Sequence, residues 1–204
     1  PNGLNDNELD KDTLSLCFYG CDSLLEGFYT VGGSGSDFLS LAEALMDLRI
    51  CGIKGNVKFL LNSGVNNDIL ICDSITGLSD TNTITFTSAT GNAGSVVFEA
   101  TTGTALTLDN VKNLIFKNIT INAQSGTNAI EFRNNCRNIT FYECNIYADS
   151  TAVSVSKNAV AYQQQAGDST YLSNVCFIKN NISGGYANFY FQYVCGNYKN
   201  MPHS

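Results

Sequence analysis

The sequence predicts an all-β fold, a parallel β-helix whose stacked coils are closed at the N-terminal end by an amphipathic helix. Three observations carry that expectation: a short strand pattern that returns at a nearly fixed period, alternation of apolar and polar residues within each strand, and an asparagine at the matching turn. Ala105-Leu106-Thr107-Leu108, Ala129-Ile130-Glu131-Phe132, Ala152-Val153-Ser154-Val155 and Asn188-Phe189-Tyr190-Phe191 start successive units. The first two starts lie 24 residues apart and the next pair 23, the periodicity of a solenoid.

Within each unit a second strand follows (Asn113–Phe116, Asn138–Phe141, Asn174–Phe177), then a third ending in Ile121, Ile146 or Ile182. The third unit is expected to be longer because Asn158 to Thr170 is inserted at a turn. Alternation sends Leu114 and Phe116 one way and Ile115 the other. No unit buries its inward side alone, so like side chains must pile into columns, Leu114/Ile139/Val175 and Phe116/Phe141/Phe177, as coils stack about 4.8 Å apart. Asn113, Asn138 and Asn174 tolerate the unusual backbone angles of a turn, and their amides can bond along the stacking axis.

Composition sets outer limits. The 204 residues suffice for one sizeable core, and 18 glycines with only two prolines and no tryptophan suit many short strands joined by turns. A net charge of −7 with eleven Lys and Arg argues against a nucleic-acid partner, which needs a basic stripe. No run approaches the roughly 18 apolar residues of a membrane span.

Residues 1–26 read as a linker or the end of a preceding domain, residues 27–197 as the β-helix with its cap, and residues 198–204 as a tail. In the cap, Phe38, Leu41, Ala42, Leu45 and Leu48 share one helical face, Asp37 is the expected N-cap, and Gly52 ends the helix just past Cys51. The far end shows no comparable covering segment, so further coils or domains of a larger polypeptide are expected at both ends.

Residues 27 to 64 carry a resemblance. Phe28-Tyr29-Thr30-Val31-Gly32-Gly33, Asp37-Phe38, Cys51-Gly52-Ile53-Lys54-Gly55-Asn56-Val57 and Leu61-Asn62-Ser63-Gly64 resemble the entry segment of right-handed β-helix modules in large secreted proteins of Bacteroidetes-type bacteria. Ile75-Thr76-Gly77-Leu78-Ser79 and Thr81 to Asn92 continue the pattern, with Gly64-Val65-Asn66 departing from the usual Gly-Thr-Tyr. The resemblance implies a pectate-lyase-like right-handed fold and a secreted or cell-surface location, and it brings no catalytic residues with it.

Eight cysteines in a chain with little charge suit an oxidising setting, and Cys51–Cys72 is the expected bridge, with core thiols as the alternative for others. Cys144 aligns with core Ile119, and Cys176 faces outward with Thr140. No Cys-x-x-Cys pair is present and the single histidine, His203, lies in the tail, so no metal site or cofactor is expected; calcium would enter only with lyase chemistry.

Function is read from the outward faces. Asp109, Glu131 and Arg133 are the candidate catalytic group, because lyases need acidic calcium ligands with a basic residue, and hydrolases need paired carboxylates. A salt-bridged surface ladder explains the same residues, since Asp109 and Arg133 align one coil apart. Eight of the ten tyrosines fall after residue 140, and exposed aromatic rings beside amides suit sugars. Tyr142, Tyr162, Gln164, Asp168 and Tyr190 are therefore the candidate carbohydrate-binding residues, the insertion supplying three of them. The expected role is a non-catalytic, adhesive or carbohydrate-binding module of an exported surface protein. A polysaccharide lyase or glycoside hydrolase is the first alternative, and a structural spacer the second.

Overall fold

A computed structural model describes residues 20–192 except 22, 68, 73–74, 80 and 164–170, and except the side chains at 70, 72 and 163. The chain enters through strand β1 (Leu25–Val31) and helix α1 (Leu41–Ile50). Five sets of three strands then follow among the described residues. They are β2 (Ile53–Leu61), β3 (Gly64–Asn67) and β4 (Ile69–Cys72); β5 (Ile84–Ser88), β6 (Val96–Glu99) and β7 (Leu106–Asp109); β8 (Lys112–Lys117), β9 (Thr120–Ala123) and β10 (Asn128–Arg133); β11 (Cys136–Tyr142), β12 (Asn145–Ala148) and β13 (Asn158–Gln163); and β14 (Leu172–Ile178), β15 (Asn181–Ser183) and β16 (Phe189–Gln192).

Strand β1 pairs in parallel with β2, and from β2 to β13 each strand pairs in parallel with the strand three places later, which gives three parallel sheets visited in rotation. The first runs β1-β2-β5-β8-β11-β14, the second β3-β6-β9-β12-β15 and the third β4-β7-β10-β13-β16. The described residues are thus mostly β, with parallel sheets and one α-helix, as a parallel solenoid requires.

The register explains why these residues form these strands. Val57, Ile84, Leu114, Ile139 and Val175 align across the first sheet, as do Phe59, Phe86, Phe116, Phe141 and Phe177. The phenylalanine rings stack with centroids 5.3, 5.4, 5.0 and 5.0 Å apart in that order. Full burial of each ring contributes about 1.5–3 kcal/mol. Phe98, Ile121, Ile146 and Ile182 form the facing column on the second sheet.

Turns between sheets demand left-handed backbone, and asparagine supplies most of it. Asn113, Asn138 and Asn174 have φ of 57°, 54° and 51°. The Asn138 amide donates to Asn113 Oδ1 at 2.9 Å, and that of Asn174 to Asn138 Oδ1 at 3.1 Å, while the Asn113 amide donates to the Ser79 carbonyl. The expected asparagine ladder is therefore present, and it runs in one direction.

The third unit departs from expectation. Ala152 to Val155 is an exposed turn, with Val153 92% exposed, and β13 begins only at Asn158, so Ala159, Val160 and Tyr162 fill the core positions. Asp149 holds that turn: it accepts from the Thr151 amide (2.9 Å) and hydroxyl (2.7 Å) and pairs with Lys157 at 2.7 Å. These contacts hold its carboxyl well below the usual range, with the Lys157 bond the largest cause. Local side-chain bonds of this kind compete with strand pairing. As a result Leu106 and Ile130 pair at an interval of 24, whereas Ile130 pairs with Val160, 30 residues on.

The cap also differs in detail. Ser40, not Asp37, caps α1, accepting from the Glu43 amide at 3.2 Å while Glu43 accepts from the Leu39 amide at 2.7 Å. Asp37 instead clasps the Thr30 amide and hydroxyl at 2.7 and 2.8 Å. Leu41, Ala44 and Leu48 are the buried face, and Ala42 is exposed. Phe38 ends the aromatic column, its ring 6.0 Å from Phe59. Gly52 does terminate the helix, at φ 74°, where a Cβ would meet the Thr76 carbonyl. Ser40→Ala removes the cap bond and is expected to cost about 1 kcal/mol in urea unfolding; an unchanged midpoint would show that α1 does not need it.

Cys51 bonds Cys21, not Cys72. The helix end lies beside the entry to β1, where the Leu25 amide donates to the Gly52 carbonyl at 3.0 Å, so the residues just before β1 are the ones within reach. Cys136 and Cys144 are buried thiols and Cys176 faces out. Burial pushes Cys144 up to about 11 and Cys136 upward as well, which leaves both as inert core groups.

Candidate functional site

The third sheet carries the candidate catalytic group on its outer face. Glu131 stands beside Thr107, and Arg133 beside Asp109, in the expected register. Arg133 does not bridge to Asp109, however. It turns back along its own strand, its Nε and Nη2 donating to the two Glu131 oxygens at 2.9 and 3.2 Å, and Thr104 Oγ1 donates to the same carboxylate at 2.9 Å. Both oxygens of Glu131 are thus occupied. Asp109 accepts from the Asn134 amide at 2.5 Å. One carboxylate bonded to a guanidinium and another holding a turn have the arrangement of a surface ladder. No group of three or more His, Cys, Asp and Glu gathers to hold a metal ion among the described residues.

The three candidate carbohydrate-binding residues that are described do not converge. Tyr190 is on the outer face of the third sheet, in register with Ala161, and its hydroxyl donates to Gln192 at 3.2 Å. Tyr142 is on the outer face of the first sheet, between Lys117 and Ile178. Tyr162 is fully buried, in register with core Phe132, which removes it from any surface; the shifted start of β13 is the physical reason. Gln164 and Asp168 lie outside the described residues.

A recess lies elsewhere, where the chain passes from the third sheet to the first. Ile75, Leu78 and Val111 give it apolar walls, Asn110 and Asn135 amides, and Lys112, Arg137 and Tyr171 a basic and aromatic rim, around a cavity of about 280 Å³. Asn135 Oδ1 accepts from the Tyr171 backbone amide at 3.1 Å and so fixes the start of β14 against β11. Tyr171 is 54% exposed, Arg137 is exposed, and Lys112 lies beside Arg137 in register.

From this recess the outer face of the first sheet continues to Tyr142. Lys117 lies 5.0 Å and Lys179 5.6 Å from its ring centroid, and Lys179 Nζ donates to its hydroxyl at 3.4 Å. Each such contact contributes about 0.5–1 kcal/mol at an exposed site and holds the ring in one orientation. The second sheet is different in character: Thr120 and Asn145 bond at 3.3 Å, Asn122 and Glu99 at 3.2 Å, and Asn181 and Tyr147 at 3.1 Å.

The sequence by itself assigned none of the recess residues to a site: Ile75 and Leu78 carry only the resemblance, and Tyr171 counts only among the eight tyrosines after residue 140. A signal existed. The residue before the ladder asparagine is Lys112, Arg137 or Ser173, and the residue after the column phenylalanine is Lys117, Tyr142 or Ile178. Written in phase, the repeats show cations at both edges of the first sheet.

Comparison with known proteins adds no relative: the chain matches no family model, no curated protein and no solved structure.

Proposed function

We propose that the chain is a right-handed parallel β-helix with an N-terminal cap, a non-catalytic module of an exported surface protein that holds carbohydrate on the outer face of its first sheet. The observation that carries this reading is the recess rimmed by Tyr171, Arg137 and Lys112. An exposed ring, apolar walls and amide groups within one cavity of about 280 Å³ offer both stacking and hydrogen bonds to a sugar. Three parallel sheets visited in rotation support the β-helix. Occupation of both Glu131 oxygens by Arg133 and Thr104 weighs against turnover at the third sheet.

The test is a binding screen of the purified chain against neutral and charged polysaccharides, with product release read from the same wells with and without calcium. Binding without release of reducing or unsaturated ends is the expected result. Tyr171→Ala is expected to weaken it by about 1 kcal/mol, roughly fivefold, whereas Glu131→Gln leaves it unchanged. Release of products that stops in Glu131→Gln would return the third sheet to an active-site role. Silence toward every glycan would favour the spacer.

A further inference from the structure

The last described coil ends on an uncovered edge. Beyond β14, β15 and β16 no described strand pairs with any of the three sheets. On the inner side Val175, Phe177, Phe189 and Phe191 line a cavity of about 300 Å³. Phe189 and Phe191 are 44% and 45% exposed, whereas Val160 and Tyr162, their register partners on β13, are fully buried. The asparagine ladder stops at the same place. Asn174 donates to Asn138 at 3.1 Å, and among the described residues nothing donates to the Asn174 oxygen.

The rotation of the sheets indicates where the chain is due next. Strands β4, β7, β10 and β13 of the third sheet are each followed by a strand of the first. Because β16 belongs to the third sheet, the residues after it are due at the free edge of β14. The spacing agrees. Leu106, Ile130 and Phe189 hold one register position on the third sheet, and an asparagine follows 7, 8 and 8 residues later, at Asn113, Asn138 and Asn197. After Val160, at the same register position, the longer connection puts Asn174 at 14.

Set in phase on Asn174, residues 196–201 read Gly-Asn-Tyr-Lys-Asn-Met where β14 reads Ser-Asn-Val-Cys-Phe-Ile. Tyr198 takes the phase of the inward column Leu114, Ile139 and Val175, and brings an apolar ring with a polar tip to the cavity beside Val175. Asn200 takes the phase of Phe177, so a polar side chain ends the phenylalanine column, as the outer face of a terminal repeat requires. Met201 takes the phase of Ile178, which is 43% exposed. We propose that the occupant of this open end is the chain's own segment 196–201, docked as a parallel strand on β14 with Asn197 bonded to Asn174 and Tyr198 seated in the cavity. A strand there closes the first sheet's edge against pairing with other chains. The opposite end of a second copy is a poorer occupant, because its β1 edge is already taken by Asp37 and Phe38.

The register supplies the test. In this pairing Lys199 lies opposite Cys176, an exposed free thiol, with Cα atoms about 4.8 Å apart and so within reach of a disulfide. The full chain carrying Lys199→Cys is oxidised with diamide and mapped by peptide mass spectrometry. The introduced thiol is expected to join Cys176 of the same chain, at roughly tenfold or more the yield given by Ser204→Cys, since docking raises its effective concentration. Tyr198→Asp, read by hydrogen exchange without any new thiol, should speed exchange of the β14 amides roughly tenfold or more while leaving β8 unchanged. A bond from the introduced thiol to Cys176 of another chain, seen as a dimer on a non-reducing gel, overturns the proposal in favour of a second copy. Equal yields from Lys199→Cys and Ser204→Cys, or β14 exchange unmoved by Tyr198→Asp, overturn it in favour of an end that serves a separate partner.

Discussion

Phe116→Ala is expected to lower the stability of this chain by about 3–5 kcal/mol, read as a fall in the urea midpoint without a change in slope. Phe116 is fully buried between Phe86 at 5.4 Å and Phe141 at 5.0 Å, in the middle of a column that begins at Phe59. Its removal opens a cavity that the backbone cannot close, because parallel pairing to β5 and β11 fixes the strand on both sides. The same change at Phe177, which is only partly buried at the outer end, should cost visibly less. Equal losses at the two positions would mean that the outer end is as well covered as the middle, and a loss under about 1 kcal/mol at Phe116 would show that the column is not the core.

Asn113→Leu carries the second large effect, about 2–4 kcal/mol. One part is the left-handed backbone at φ 57°, which costs a branched side chain about 1–2 kcal/mol. The other is the loss of two bonds, from its amide to the Ser79 carbonyl and from the Asn138 amide to its own oxygen, at a site only 4% exposed. A buried polar group left unpaired costs about 1–3 kcal/mol. Asn113→Gly separates the two parts, since glycine accepts the backbone angle but makes no ladder bond. Glycine should therefore recover part of the stability that leucine loses. If glycine and leucine fall together, the ladder bonds are the whole effect; if glycine matches asparagine, the turn geometry is.

These two positions show why so much of the fold is legible in the sequence. A residue that stacks on its own kind in the next repeat writes the same letter at the same phase, so Phe116, Phe141 and Phe177, and Asn113, Asn138 and Asn174, can be aligned without coordinates. Even the core position of Cys144 and the outward position of Cys176 follow from that alignment.

The candidate site was less legible for a related reason. Tyr142, Tyr162 and Tyr190 were grouped because they are tyrosines in one half of the sequence, yet they occupy the first sheet's outer face, the core and the third sheet's outer face. Binding residues on such a fold come together across strands, at intervals set by the repeat. Lys112 and Arg137 are 25 residues apart and register partners, which shows only once the repeats are set in phase on Asn113 and Asn138.

The sequence alone determined the parallel all-β architecture, the two inward columns of the first sheet, the asparagines at matching turns and the presence of a capping helix. Each follows from interactions that repeat with the period, or from hydrogen bonds within a few residues. Only the tertiary structure decided which of two alternating stretches became β13, that Cys51 meets Cys21 and that Ser40 takes the helix cap. In each case the local pattern permits more than one answer. Ala152 to Val155 alternates as a strand would, but its hydrophobic side has no neighbour to cover it once Asp149 closes the turn with Lys157. Ala159, Val160 and Tyr162 have the waiting core beside β10, and burial against a strand already in place chose between them.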